Sequence, residues 1–282
     1  MNIRKFLITT ILVSLIAIAT GAFAATSNLF IITDNGWSYG EGNLRNQRTG
    51  INGGIADFVF NGGQDNMCQN WWWYRTICDT REYALSNQVQ IVAGANVAEL
   101  VYYESLANGT IPNALEIRLR YTLTGFSPEH AQLKINWTVR NLSEVCTPFD
   151  FFAYTDPGWG TGAIGTLTNN NFIEKEILLE DINNPRRLLL TAQMSNLVGW
   201  EIAKFPQNLS QLSDGDIDNL TNATTPLGPG NVTAALQWHF ILPQHAVASG
   251  TFTKDLTIPE VNSLLLALPG LASLVIWRRR KS

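Results

Sequence analysis

Two segments in the middle of the chain alternate strictly between apolar and polar side chains. From residue 115 to residue 123, and again from 133 to 139, every odd-numbered residue is apolar and every even-numbered one is polar. A period of two places all the apolar side chains on one face, which indicates a half-buried β-strand rather than a helix. The link between the segments carries Gly125 and Ser127-Pro128. The two strands are therefore predicted to form an antiparallel pair.

Other segments have the length and the turn-bounded character of strands. They are residues 29–33, 55–60, 89–93, 97–103, 149–154, 172–179, 187–192, 234–242 and 250–256. Nearly every gap between them contains Gly, Asn, Asp or Pro, the residues that turns require. No helical period stands out between the two ends of the chain. The sequence therefore predicts an all-β fold, an antiparallel β-sandwich that occupies one domain, residues 28–256.

Composition narrows the range of partners and cofactors. Charged residues make up only 15% of the chain and the formal net charge is -4, so a nucleic-acid partner is not expected.

Asp214, Asp216 and Asp218 have the alternate spacing with which calcium loops begin. An EF-hand would need Gly at Asn219 and an acidic residue at Thr225, so that loop is excluded. An irregular calcium site or a plain solvated loop remains, and no cofactor is expected.

The first residues have the three-part layout of a secretory signal. Positive charge at Arg4 and Lys5 precedes an apolar run over 6–18, and the small residues Ala22 and Ala24 follow. This layout predicts a signal helix in residues 1–24 with cleavage after Ala24. The alternative is a retained membrane anchor, but the apolar run is shorter than the roughly 20 residues that a spanning helix needs.

The other end combines a short polar motif, an apolar stretch and a basic cluster. In order, it contains Pro259, Glu260 and Val261, then residues 264–277, then Arg278, Arg279, Arg280 and Lys281. As a helix the apolar stretch would cover roughly 21 Å of a hydrocarbon core roughly 30 Å thick, and Pro269-Gly270 interrupts it. A C-terminal hydrophobic helix that pauses in a membrane, with its cations on the cytoplasmic side, is therefore predicted.

This tail resembles the PEP-CTERM sorting signals of Gram-negative bacteria, including cyanobacteria. The resemblance covers 258–282 only, and Val261 stands where the family has proline. It implies a membrane protease of the exosortase type as a partner, with cleavage near Pro259-Glu260 after transient residence in the inner membrane. It also implies delivery of the mature domain to the cell envelope or outer surface, often alongside exopolysaccharide. The alternative is a single-pass membrane protein with a short cytoplasmic tail.

Three cysteines, Cys68, Cys78 and Cys146, cannot all pair within one molecule. Export would favour one disulfide. On a straight strand Cys68 and Cys78 would lie roughly 33 Å apart, whereas a bridge needs about 4.4 to 6.8 Å between Cα atoms. Either the segment between them turns without Gly or Pro, or Cys146 is a partner, and the sequence leaves the pairing open.

The run Trp71-Trp72-Trp73-Tyr74-Arg75 is the most unusual stretch of the chain. On a strand, Trp71 and Trp73 would face one way, and Trp72 and Tyr74 the other. Exposed rings can pack against the apolar faces of sugars, and Arg75 can add hydrogen bonds, so Trp71, Trp73 and Arg75 are candidate carbohydrate contacts. The alternative is that both faces are buried between two layers.

Two functions from different classes fit these features. The first is a non-enzymatic surface or matrix protein that binds carbohydrate such as exopolysaccharide. The second is a polysaccharide-modifying enzyme on the same scaffold, which would need two facing carboxyl groups roughly 5 to 9.5 Å apart. Carboxylates on candidate strands are Asp57, Glu99, Glu104 and Asp150. No nucleophile motif is present, and His239, on the strand face of Gln237, is predicted to be a surface histidine with a partner.

Overall fold

The computed structural model describes residues 28–42, 55–86, 88–171, 173–193, 197–221 and 225–259. Within these ranges about two-thirds of the residues lie in β-strands. The strands are β1 (Asn28–Asp34), β2 (Trp37–Gly42), β3 (Ala56–Phe60), β4 (Gln69–Thr76), β5 (Tyr83–Ala84), β6 (Gln88–Ala93), β7 (Val97–Leu106), β8 (Ile111–Ser127), β9 (His130–Asn141), β10 (Thr147–Asp156), β11 (Ala163–Asn170), β12 (Glu174–Asp181), β13 (Arg186–Gln193), β14 (Leu197–Lys204), β15 (Leu227–Gly230), β16 (Val232–Leu242) and β17 (Val247–Thr257). One α-helix, α1 (Gln207–Ser213), and a 3₁₀ turn at Gly160–Gly162 interrupt them within the described residues. The all-β prediction is confirmed.

The described strands form three antiparallel sheets. The largest has nine strands in the order β15-β11-β12-β13-β17-β9-β8-β7-β6, the second five in the order β14-β16-β10-β4-β5, and the third contains β1, β2 and β3. The pair predicted from the alternating segments is β8 and β9, in which Leu119 lies opposite Trp137. The apolar residues of the two alternating segments, 115–123 and 133–139, are fully buried, as the period of two requires.

The main core lies between the nine-stranded and five-stranded sheets. Trp72 stacks on Phe151 at a centroid distance of 4.9 Å, within the five-stranded sheet. Trp137 of the nine-stranded sheet meets Phe151 at 5.3 Å and Trp238 at 5.5 Å. Aromatic pairs at these distances contribute attraction beyond the area that they bury. The two sheets therefore pack face to face through a largely aromatic layer.

A second, smaller core lies on the opposite face of the five-stranded sheet. Trp71 and Trp73 from β4 meet Phe152 and Tyr154 from β10 there. The helix α1 covers this patch with Leu209 and Leu212, and Leu220 from the following loop completes the cover. The chain thus adds a partial third layer, which the sequence interpretation missed because seven residues are too few to show a helical period.

One fully buried polar network connects all three sheets. Asn70 of β4 donates to the carboxylate of Glu41 in β2 and accepts from the ammonium of Lys254 in β17. Glu41 also accepts from the hydroxyls of Tyr39 at 2.5 Å and Tyr121 at 3.0 Å. Burial lowers the pKa of Lys254 to about 7, while burial raises the pKa of Glu41. Every member of the network has a partner, as buried polar groups require.

Several predictions concern the ends of the chain. The signal helix in 1–24 and the hydrophobic helix with its basic cluster in 260–282 lie outside the described residues. None of the helices in the described part of the chain has the length and apolar character needed to cross a membrane. The division into a signal, a domain and a sorting tail therefore stays a prediction.

Candidate functional site

The outer face of the five-stranded sheet changes from apolar to polar along its strands. Strands β4, β10 and β16 are in antiparallel register, so their side chains on this face form rows. One row consists of Trp71, Tyr154 and Ala235, the next of Trp73, Phe152 and Gln237, and the last of Arg75, Asp150 and His239. The second core covers the first two rows, and the third row lines a cavity.

Trp71 and Trp73 are only 2% and 0% exposed. Trp73 packs edge-on against Tyr154 at 6.0 Å, and the Trp71 indole donates to the carbonyl oxygen of Leu85 at 3.2 Å. The expectation that these two rings stand in solvent is therefore wrong, and the alternative of burial on both faces is correct. The reason is α1, which covers a face that would otherwise be the outside of the sandwich. Arg75 alone of the three predicted contacts reaches the cavity.

Arg75 is the centre of the polar row. Its guanidinium donates to Asp150 Oδ2 at 2.8 and 3.1 Å and to Glu82 Oε1 at 2.7 Å. It also donates to the carbonyl oxygen of Asp218 at 2.7 Å and to Asn219 Oδ1 at 2.8 Å. The Arg75 side chain is only 10% exposed, so these charge-assisted bonds hold it rigidly.

Asp150 connects the guanidinium to the neighbouring strand. Its Oδ1 accepts from Gln237 Nε2 at 3.0 Å and lies 2.9 Å from His239 Nδ1. A carboxylate can only accept, so the hydrogen is on Nδ1, and in the neutral imidazole Nε2 is an acceptor. The His239 side chain is 46% exposed. The prediction of a surface histidine with a partner is confirmed.

A loop forms one wall of the site. Asn219 Oδ1 accepts from both Arg75 and Gln237, and the Leu220 backbone N–H donates to Gln237 Oε1 at 3.1 Å. The backbone N–H and the hydroxyl of Thr221 both donate to Glu201 Oε2 at 3.0 Å. The loop is thus fastened to the sheet by side chains of β4, β14 and β16. The sequence did not indicate that this loop contacts the sheet, because a loop rich in Asp, Asn and Pro is usually exposed to solvent.

Arg75, Asp150, Asn219, Gln237 and His239 line an open cavity of about 460 Å³. Five of its seven lining residues have polar side chains, and the other two are Gly199 and Leu220. A Cβ atom on Gly199 would lie 2.9 Å from Gln237 Oε1, so glycine allows this amide to stand where it does. The volume is in the range of small-molecule sites, roughly 300 to 1,000 Å³.

The charge of the site is nearly balanced. Arg75 faces two carboxyl groups, Asp150 and Glu82. Burial raises the pKa of Glu82 to about 7, and Arg75 opposes that shift. Near neutral pH Glu82 is therefore partly protonated, and the row of Arg75, Asp150 and His239 presents hydrogen-bonding groups with little net charge.

The other predicted site residues, except Asp150, do not line this cavity. Carboxylate oxygens of Asp214, Asp216 and Asp218 lie within 4.8 Å of one another, and the calcium hypothesis stays a prediction. Cys68, Cys78 and Cys146 are exposed free thiols, so no disulfide is formed in this structure. Among the carboxylates considered for catalysis, only Asp150 lines the cavity. Glu99 pairs with Arg118, and Glu104 accepts from Tyr74 and from the Ser86 backbone.

No protein-family model and no curated protein matches this sequence. Among solved structures, the chain is similar to a bacterial glucoamylase complexed with acarbose, with a TM-score of 0.53 and 9% identity. That similarity covers 88% of this chain and 35% of the glucoamylase, so the chain spans about a third of the length of that protein. It establishes a shared fold and no more.

Two further structures are more distant. A galactose mutarotase-like protein from Lactobacillus casei ATCC 334 has a TM-score of 0.49 and 8% identity, covering 80% of this chain and 99% of that protein. A polysaccharide lyase has a TM-score of 0.47 and 11% identity, covering 81% of this chain and 34% of the lyase.

Proposed function

We propose that this protein is an exported surface or matrix protein that binds carbohydrate in the cavity beside Arg75, Asp150 and His239. The observation that carries the proposal is the convergence of Arg75, Asp150, Asn219, Gln237 and His239 on one cavity that Gly199 and Leu220 also line. A few well-placed polar groups in a concave site are the usual means of orienting a small ligand. The fold is shared with part of a glucoamylase, which is compatible with this use of the scaffold.

The chemistry of the site favours sugar hydroxyls over charged ligands. Arg75 is already neutralised by Asp150 and Glu82, so an added anion would find no unpaired cation there. His239 Nε2 supplies an acceptor and the Asn219 side-chain amide supplies a donor, the two kinds of group that hydroxyl recognition needs. Because Trp71 and Trp73 are covered, recognition rests on these hydrogen bonds, with Leu220 as the apolar contact. A neutral sugar unit of an exopolysaccharide is the proposed ligand.

The proposed route to the surface rests on the sequence of the two ends. Export through the signal in 1–24 would bring the chain across the inner membrane, and an exosortase-like protease would cut near Pro259-Glu260. The mass of the chain recovered from the cell envelope tests this route. Loss of both the first 24 residues and the basic cluster supports it, whereas a chain that retains Arg278–Lys281 supports a membrane anchor.

We expect His239→Ala to weaken binding of the host exopolysaccharide about tenfold or more, the equivalent of about 1.4 kcal/mol. The substitution removes a half-exposed acceptor from the cavity and leaves the buried groups in place. Titration of the purified protein with oligosaccharides prepared from that polymer measures the effect.

His245→Ala is the matched control. His245 is also exposed and lies 3.0 Å from a carboxylate, that of Glu144, but it does not line the cavity. The control is expected to bind like the unmodified protein. Equal binding by both variants would remove the proposed site.

The alternative function is a polysaccharide-modifying enzyme. The observation in its favour is the His239–Asp150 pair, in which a carboxylate orients an imidazole that can transfer a proton. The site is less suited to glycoside hydrolysis, because Asp150 and Glu82 both bind the guanidinium of Arg75 instead of facing each other across a groove. Release of shortened or unsaturated products from the polymer, lost in His239→Ala, would favour the enzyme.

A further inference from the structure

The three cysteines lie outside the strand β4, near one or the other of its two ends. Cys68 comes directly before this strand and Cys78 follows its last residue, Thr76, by two positions. Eight strand residues separate the ends by about 26 Å at roughly 3.3 Å per residue. Cys68 and Cys78 therefore cannot be joined, which removes one of the pairings that the sequence left open.

Cys146 lies at the same end as Cys78. It directly precedes β10, and β10 runs antiparallel to β4 with Phe149 opposite Thr76. Beyond the last paired residues the two chains stay in contact, because the Ile77 backbone N–H donates to Thr147 Oγ1 at 3.2 Å. Cys78 follows Ile77 and Cys146 precedes Thr147, so each cysteine is the next residue beyond this contact.

Both cysteines are carried by fixed segments of backbone. The turn around Cys78 is closed by Asp79, whose carboxylate accepts from the backbone N–H and the hydroxyl of Thr76 at 2.6 Å each. Asp79 also accepts from the Asn108 backbone at 2.5 Å. On the other side, Asn141 donates to the Val145 carbonyl oxygen at 2.7 Å, one residue before Cys146. Hydrogen bonds therefore hold the backbone next to each of the two cysteines.

We propose that Cys78 and Cys146 form an intramolecular disulfide when the chain meets an oxidant, and that Cys68 stays a free thiol. Both partners are exposed, so an oxidant can reach them. Cys68 lies at the other end of β4, and partial desolvation together with nearby carboxylates raises its pKa, which reduces its thiolate fraction. The bridge would tie β4 to the start of β10 at the end of the sheet that carries Arg75 and Asp150.

The chemistry is ordinary thiol–disulfide exchange with a disulfide oxidant, either a protein disulfide or oxidised glutathione. The thiolate of one cysteine attacks the oxidant and forms a mixed disulfide, expelling one oxidant thiolate. The thiolate of the other cysteine then attacks the first cysteine's sulfur in this mixed disulfide and expels the second oxidant thiolate. One S–S bond forms and one breaks, and the oxidant gains two electrons and the two thiol protons.

Peptide mapping of the full chain tests the pairing. The purified protein is equilibrated with oxidised glutathione, remaining thiols are blocked with N-ethylmaleimide, and trypsin is added. The sequence places Cys68, Cys78 and Cys146 in separate tryptic peptides, 49–75, 76–81 and 141–175. We expect 76–81 joined to 141–175 with the loss of two hydrogens, and 49–75 carrying the blocking group. Blocked or glutathionylated thiols at both Cys78 and Cys146, or a bridge that includes Cys68, would overturn the proposal.

Thermal unfolding gives a second readout. A bridge across this long a loop is expected to raise the Tm of the oxidised protein by about 10 °C. Reduction should remove that increment from the unmodified protein and from Cys68→Ser, the matched control. Cys78→Ser and Cys146→Ser should show the lower Tm with or without reductant. A Tm that does not respond to reductant in the unmodified protein would contradict the bridge.

Discussion

Lys254→Met is expected to lower the free energy of unfolding by about 3 to 5 kcal/mol. Lys254 is fully buried, and its ammonium donates to Asn70 Oδ1 and to Thr155 Oγ1, the latter at 2.9 Å. Methionine has nearly the same shape but no donor, so both acceptors would stay buried without a partner. Glu41 would also lose the cation that favours its charged form. Urea or guanidinium unfolding at constant pH measures the loss.

The matched control is Lys134→Met, on the exposed face of the neighbouring strand opposite Thr253. It is expected to change stability by less than about 0.5 kcal/mol. The double variant Glu41→Gln/Lys254→Met should cost less than the sum of its two single changes, since both groups belong to one network. A Lys254→Met protein as stable as the control would contradict the role of this network in joining the three sheets.

The stability difference between the unmodified protein and Lys254→Met is expected to depend on pH. Burial lowers the pKa of Lys254 to about 7, below its ordinary value of 10.5. Between pH 7 and 10.5, Lys254 is protonated in the unfolded chain and neutral in the folded chain. Its contribution to the free energy of unfolding therefore increases as pH rises from 7 to 10.5 and is lost as pH falls. The difference between the unmodified protein and Lys254→Met should therefore grow over that range.

Asp150→Ala is expected to cost about 3 to 5 kcal/mol in stability and to abolish carbohydrate binding. The substitution leaves the guanidinium of Arg75, 10% exposed, with Glu82 as its remaining carboxylate partner. Gln237 and His239 lose the acceptor that orients them. Asp150→Asn, which keeps the shape and an acceptor oxygen, is expected to remain folded while binding more weakly. Chemical unfolding and oligosaccharide titration separate the two effects.

The control for this prediction is Asp255→Ala. Asp255 also faces a histidine, His130, at 2.5 Å, but its side chain is 27% exposed and does not line the cavity. Its removal is expected to cost less than about 1 kcal/mol. Equal losses from the two aspartate variants would show that the row of Arg75, Asp150 and His239 is an ordinary surface ion-pair cluster.

The fold was predictable wherever one face of a strand meets water. Strands β8 and β9 alternate between polar and apolar residues for that reason, and their pairing followed from the sequence. The β4 segment could not be interpreted in this way, because a core covers it on both faces and alternation then carries no information on exposure. The helix α1, which provides the second cover through Leu209 and Leu212, is too short to leave a periodic pattern.

The site was predictable only in fragments. Arg75, Asp150 and His239 each stood out as single residues, yet 75 and 89 positions separate Asp150 from its two partners. Strand register brings them together, and register follows from pairing that no single strand specifies. Asn219 comes from a loop that side-chain hydrogen bonds fasten to the sheet, a contact without any local sequence signal.

The proposal that carbohydrate binds beside His239 is tested most directly by the side-chain NMR signals of the three histidines. Each of His130, His239 and His245 is exposed and lies within 3.0 Å of a carboxylate, so the three rings are matched probes at different parts of the surface. During titration with exopolysaccharide oligosaccharides, the ring signals of His239 are expected to shift with saturation while those of His130 and His245 stay in place. Binding that leaves the His239 signals unchanged would contradict the proposed site.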